Sequence, residues 1–304
     1  MVKDKAKKEE SGPIQQVAFQ TCLSTVAYPF HVVRTLVQVG HEPLPSTVGK
    51  TWFGFGSNAY FLPNCLTYSG HIRRTDGYAG LYRGLVPYVV NGGLQQISSR
   101  YLNDLIPTVK KDSNASTSEF TVDVVKDVAR SAAIRTVVMV LGHPLHVINI
   151  RMVVYFVGRE SAYSSFMGAV RSIYEDEGVG GFFSGIVPRV IGELLGMVAY
   201  EALFRTILKI AESGGHVDDH EELELYGRTL VNYLVRITTY PFQLTSTLMI
   251  VDGSRMAAAS AVPVDCNGRW YKCLTALYSS GRNMRGNSLF NRIDKSRRVY
   301  TTRL

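Results

Sequence analysis

The chain has 304 residues, a net charge of +8, 46% apolar residues and only 19% charged residues, against about 25% charged in a soluble globular protein. Its cysteines are four, Cys22, Cys65, Cys266 and Cys273; none has a metal-ligand spacing with a histidine nearby, and so few exclude a disulfide-built secreted domain, so free thiols are expected. The basic excess fits nucleic acid, anionic lipid or an anionic solute. Much of it lies inside apolar segments, which argues against the basic soluble face that nucleic-acid binding requires.

Residues 1–12 are mixed in sign and read as a solvated arm. They carry neither an apolar signal core nor an acid-poor, Arg-rich transit helix, so any organelle address is internal. From Pro13 to Val33 there is no Asp, Glu, Lys or Arg, a run long enough for the ~20 residues that cross a bilayer. The helical pattern continues to Val39, where Gly40, Pro43 and Pro45 stop it. Residues 40–75 are rich in Gly, Pro, Ser and Asn and predict a loop carrying a short amphipathic helix over Cys65–Arg73. Asp76-Gly77 and Leu81-Tyr82-Arg83-Gly84-Leu85-Val86-Pro87 then lead into a second helix that ends near Ile106. Residues 108–120 read as a linker.

The same order returns in a second unit, 121–211. A helix from about Val128 to Val157 surrounds Pro144. Glu177-Gly178 and Phe183-Ser184-Gly185-Ile186-Val187-Pro188 follow, and a fourth helix runs to about Ala211. Residues 212–224 predict an acidic, solvent-facing loop. A third unit, 225–304, opens with a helix from about Leu225 to Val251 around Pro241. Arg285-Gly286-Asn287 is a weak counterpart of the glycine signature. Only 18 residues follow Gly286, and they are rich in Arg and Lys, so no sixth long helix is expected. The repeats therefore span 13–107, 121–211 and a truncated 225–304.

One element ties the units together. Tyr28-Pro29-Phe30-His31-Val32-Val33-Arg34 returns as His143-Pro144-Leu145-His146-Val147-Ile148-Asn149 and as Tyr240-Pro241-Phe242-Gln243-Leu244-Thr245-Ser246, the prolines lying 115 and 97 residues apart. Self-similarity at a long period marks a repeat architecture. The glycine signatures agree: Gly77 to Gly84 and Gly178 to Gly185 are both seven residues apart.

Around each proline runs a polar stripe at helical spacing. The first helix presents Gln16, Gln20, Ser24, Ala27, His31, Arg34 and Gln38. The third presents Ser131, Arg135, Met139, Gly142, His146 and Asn149; the fifth Arg228, Asn232, Arg236, Thr239, Gln243 and Ser246. Asn91, Gln95, Ser98 and Ser99 share a face of the second helix. In the fourth, Arg189 with Glu193 and Glu201 with Arg205 are spaced to pair. Ionised groups at bilayer depth cost about 2.5–3.5 kcal/mol each and normally face a bundle interior or a watery cavity. The five helices hold ten Lys or Arg against three acids. They cannot all be paired within the helices, so the stripes predict a water-accessible cavity. The competing reading is structural hydrogen bonding between helices, and a soluble all-helical repeat protein is the alternative class.

No catalytic fingerprint is present: no GxSxG, HExxH, P-loop or Rossmann glycine pattern. His143 and His146 are three apart, but no third metal ligand is evident, so neither metal nor cofactor is expected and both histidines read as lining groups.

Three repeats, each with a proline-kinked helix followed by acidic-Gly and aromatic-x-Gly-x-x-Pro, resemble the mitochondrial carrier family from about residue 14 to 290. The resemblance implies three helix pairs around a pseudo-threefold axis. That family's first signature, Pro-x-acidic-x-x-basic, forms a salt-bridge gate in metabolite exchangers. Here the acidic position is His31, His146 and Gln243, and the basic one Arg34, Asn149 and Ser246, so the gate cannot form. Gln38-Val39-Gly40-His41-Glu42-Pro43-Leu44-Pro45, Phe156-Val157-Gly158-Arg159-Glu160-Ser161 and Arg285-Gly286-Asn287-Ser288-Leu289-Phe290 are similar to divergent outer-membrane members of the family. That similarity implies a multi-pass protein of the mitochondrial outer membrane. It implies an insertase for tail-anchored and α-helical client proteins, together with lipid scrambling and a link to apoptotic regulators. An all-α bundle with five of six transmembrane helices would leave a groove open to lipid. Its expected lining is Gln20, Ser24, His31, Arg34, Asn91, Gln95, Arg135, His146, Asn149, Glu193, Asn232, Arg236 and Gln243. A solute carrier and a receptor or scaffold for apoptotic and metabolic regulators are the competing functions.

Overall fold

The computed structural model describes residues 13–51, 57–106, 117–213, 220–262, 266 and 268–294. The arm 1–12, residues 108–116 of the linker and 214–219 of the acidic loop lie outside the described residues. Five long helices dominate: α1 (Pro13–Val39), α3 (Leu85–Leu105), α4 (Thr117–Gly158), α6 (Ile186–Ser213) and α7 (His220–Asp252). Shorter helices α2 (Cys65–Leu81), α5 (Phe166–Gly181), α8 (Ala257–Ala261) and α9 (Trp270–Ser279) connect them. The all-α, carrier-like fold and its five long helices agree with the sequence. α4 begins at Thr117 and α7 at His220, inside stretches read as linker and loop.

Local chemistry explains the boundaries. Pro13 opens α1, where its missing N–H costs nothing. Gly40 N–H donates to Val37 O and His41 N–H to Leu36 O, the pair of bonds that ends a helix at a glycine. Asn64 caps α2 by accepting from Thr67 N at 2.9 Å, and Ser165 caps α5 by accepting from Gly168 N. Pro29, Pro144 and Pro241 lie inside α1, α4 and α7.

Two expectations need correction. Residues 40–75 contain a β-hairpin, β1 (Thr47–Lys50) on β2 (Asn58–Leu62), and the helix after it runs past Arg73 and breaks at Gly77, φ +70°, before its last turn ends at Leu81. A third strand, β3 (Arg292–Ile293), pairs antiparallel with β2. The strand that completes the sheet comes from the far end of the chain, so local patterning could not reveal it. Cys266 and Cys273 are not free thiols: they form a disulfide inside a buried cluster with Tyr240, Leu244, Leu248 and Leu277. Cys22 and Cys65 are free.

The core sits at one end. In α1 no described residue from Gln15 to Ala27 is buried, whereas Tyr28, Val32, Val33, Leu36, Val37 and Val39 all are. All but Val39 pack with Tyr68, Ile72 and Val153. A second cluster joins Val147, Ile150 and Val154 of α4 to Ile250 and Val251 of α7. The proline-to-C-terminus halves of α1, α4 and α7 therefore converge, and the other halves diverge. Among the described residues, only Val125–Gly158 is by itself long and apolar enough to cross a membrane. α5 with most of α6 passes as a pair bent by 61°. α1, although free of ionised groups up to Val33, does not pass. Its glutamine, serine, threonine and histidine stripe lowers its apolarity.

Candidate groove and closed end

The closed end is built by one device used three times. The residue before each proline donates a side-chain hydrogen bond to the carbonyl that precedes a signature glycine. Tyr28 Oη donates to Arg83 O at 2.7 Å, His143 Nε2 to Ser184 O at 2.9 Å, and Tyr240 Oη to Arg285 O at 2.5 Å. The glycines, Gly84, Gly185 and Gly286, have φ of +80°, +72° and +78°, a region that favours glycine. Each also meets the next repeat around the ring. A Cβ on Gly84 would lie 3.0 Å from Asn149 Nδ2, one on Gly185 2.5 Å from Ser246 O, and one on Gly286 2.8 Å from Gln38 Cγ. The weak third signature thus makes the same floor contact as the other two.

Above this floor lie two polar cavities, of about 620 and 1200 Å³. The deeper, smaller one touches all five long helices. The wider one is walled by α3, α4, α6 and α7, with no residue from α1. They share Ser99, Arg135, Glu193 and Gln243, so the two are continuous. His31, Arg34, Gln95 and His146 line the deeper cavity, Asn232 and Arg236 the wider one, and Arg135, Glu193 and Gln243 both. The combined lining has six arginines, Arg34, Arg135, Arg189, Arg205, Arg228 and Arg236, against Asp127, Glu193 and Glu201.

Four expected lining residues lie elsewhere. Asn149 is 1% exposed and acts as a junction. Its Nδ2 donates to Tyr28 Oη and Gly84 O, both at 2.8 Å, and its Oδ1 is 2.8 Å from His31 Nε2. Asn91 is buried against Gly142 of α4, and its Oδ1 accepts from Gln95 Nε2 at 2.9 Å. It positions Gln95 instead of facing the cavity. Gln20 and Ser24 sit on the half of α1 that lines neither cavity. The side chain of Gln16 lies outside the described residues.

Pairing differs from helical spacing in one place. Glu193 accepts from Arg135 of α4 at 2.9 Å, not from Arg189. Arg189 instead reaches His143 Nδ1 at 3.3 Å. His143 is fully buried in its floor bond and is no lining group, whereas His146 is one. Glu201 and Arg205 pair as their spacing predicts. Among the described residues no group of three or more His, Cys, Asp or Glu could hold a metal ion.

The sequence reading missed Arg151. It is fully buried and grips Glu177 with both terminal nitrogens, at 2.6 and 2.9 Å, while Nε donates to Ile250 O at 3.2 Å. One side chain thereby joins α4, α5 and α7. The available signal was an arginine seven residues after Pro144 together with the acid of Glu177-Gly178.

The sequence pattern described as "Mitochondrial carrier protein" matches residues 18–112 and 120–213. The chain belongs to the mitochondrial carrier family. "Mitochondrial carrier homolog 2" of Homo sapiens is 33% identical over 288 residues, covering 91% of this chain and 93% of that one. "Mitochondrial carrier homolog 1" of Mus musculus is 28% identical over 295 residues, covering 91% and 75%. "Mitochondrial thiamine pyrophosphate carrier 1" of Neurospora crassa is 24% identical over 194 residues, covering 60% and 54%. The protein is therefore a mitochondrial membrane protein of the carrier family. The matched segments end at Ser213, so the third repeat carries its divergence. Within the carrier frame, the gate positions His31, His146 and Gln243 surround the deeper cavity without a carboxylate among them.

Proposed function

We propose that this carrier homolog is an insertase of the mitochondrial outer membrane, spanning it with its five long helices. On this reading it moves tail-anchored and α-helical proteins into the bilayer along its polar groove. Passage of lipid headgroups is a second consequence of the same groove. The observation that carries the reading is the continuous polar cavity, whose wider part is lined by α3, α4, α6 and α7 and by no residue of α1; on this reading it opens between α1 and α7. Phe19 and Val26 of α1 are 66% and 70% exposed and Tyr233 of α7 is 63% exposed, as apolar surface that faces lipid would be.

Transferring an unpaired polar group through hydrocarbon costs several kcal/mol, and an unsatisfied backbone group at that depth costs as much. A water-holding groove beside the lipid lowers that barrier for a short hydrophilic tail. No covalent step is needed. Gate positions without carboxylates, His31, His146 and Gln243, speak against alternating access to a solute.

The test is reconstitution of the purified protein with a labelled tail-anchored client and a fluorescent lipid in the same vesicles. The expected result is a protease-protected client tail and loss of lipid asymmetry, both faster than in protein-free vesicles. Inert vesicles would refute the groove. Metabolite uptake without client insertion would establish a solute carrier, and client binding without insertion a receptor.

A further inference from the structure

A bundle without carboxylates at its gate positions still has a closed end, and the seams between repeats show what closes it. Between repeats one and two, Arg159 Nη2 binds Asp76 at 3.1 Å. Between two and three, Arg255 Nη1 binds Asp176 at 3.2 Å. The arginines of those two seams are 56% and 80% exposed, and exposed pairs contribute little.

The third seam reverses the charges and buries them. Glu42, just after α1, receives Arg292 and lies 3.8 Å from Arg285, both arginines coming from repeat three. The Arg292 side chain is only 7% exposed. Its Nη1 also donates to Pro63 O at 3.0 Å. Backbone bonds flank it: Cys65 N–H to Leu289 O at 2.8 Å and Asp294 N–H to Tyr60 O at 2.7 Å. β3 pairs Arg292 with Leu62 and Ile293 with Phe61, and Leu289 enters the buried cluster of Val32, Leu36 and Tyr68. Gly286 closes on Gln38 and Tyr240. Burial lowers the Arg285 pKa, and the Glu42 carboxylate opposes that fall.

This seam joins α1 to repeat three. We infer that Gly286–Asp294 is a permanent seal that takes the place of an ion-pair gate and keeps the polar cavity from continuing through the protein as an ion pathway. The seal operates whatever the groove carries. It also fixes one end of the α1–α7 opening, so the groove widens only away from it.

Ion leak from dye-loaded liposomes containing the purified full chain tests the seal. The native protein should leak no faster than protein-free vesicles. Arg292→Glu places two carboxylates in one buried site and should raise the leak by about tenfold or more, since removing one partner of a buried pair is strongly destabilising. Glu42→Lys with Arg292→Glu restores opposite charges and should return most of the barrier, with Arg285 opposing full recovery. Arg255→Glu, at an exposed seam, should leave the leak unchanged. Helical circular dichroism verifies that each variant is folded; if Arg292→Glu is not recovered folded, Arg292→Gln carries the same test. A folded Arg292 variant that stays tight overturns the seal. A leak that the charge swap does not reduce, or that Arg255→Glu reproduces, overturns it equally.

Discussion

Arg151→Met should lower the stability of the detergent-solubilised protein by about 3–5 kcal/mol, the cost of leaving one partner of a buried ion pair unmatched. No single change in the cavity wall should approach this. The guanidinium is fully buried, both its terminal nitrogens are committed to Glu177, and its Nε holds the backbone of α7. Loss of the fork strands the Glu177 carboxylate and the Ile250 carbonyl together. Arg151→Lys should rescue little, because an ammonium cannot reproduce the planar two-pronged contact. Removing the charge from both partners, as Arg151→Met with Glu177→Gln, should recover part of the loss. Thermal unfolding followed by helical circular dichroism checks all three. Equal stability of Arg151→Met and the native chain would show that the junction of α4, α5 and α7 is held by apolar packing alone.

The second large effect concerns the groove. Arg34→Glu with Arg236→Glu turns a lining of six arginines and three carboxylates into four and five. Arg34 is exposed to the deeper cavity and Arg236 to the wider one, so the substitutions remove no buried contact. The melting temperature should stay within the range of an ordinary surface change. Charge at a membrane-water boundary contributes about 1 kcal/mol per basic residue, roughly fivefold in rate. Insertion of a client with a basic tail should therefore rise by about fivefold or more, and insertion of one with an acidic tail should fall by a similar factor. Unchanged insertion of both clients would remove the cavity from the transfer path.

What could be read in advance, and what could not, follows from the range of the forces involved. The three prolines and the glycine signatures are local, and their spacing transfers directly into helices and floor. Even Arg285-Gly286-Asn287, weak as a motif, repeats the geometry of Gly84 and Gly185, because a carbonyl and a glycine with positive φ are all the floor bond needs. Helical spacing also placed nine of the thirteen expected lining residues on the cavities. It failed where the partner lies on another helix. Asn149 shares a face with His146, yet it is captured by Tyr28 and Gly84 of repeat one. Glu193 is spaced to meet Arg189, but Arg135 of α4 holds it. The hairpin at Thr47–Leu62 looked like loop because its third strand is Arg292–Ile293. Cys266 and Cys273 carry no motif, and the burial that joins them comes from α7 and α9.

The central claim is that the cavity admits its cargo sideways, between α1 and α7. Site-specific photocrosslinking during insertion of a tail-anchored client tests it most directly. Photoreactive side chains at Arg34 of α1 and Asn232 of α7, which line the deeper and the wider cavity, should capture the client's hydrophilic tail before insertion is complete. The same probe at Leu195 or Val198, exposed on α6 and outside both cavities, should capture none. Capture from α6 equal to that from α1 and α7, or from neither opening-side position, would contradict a laterally open groove.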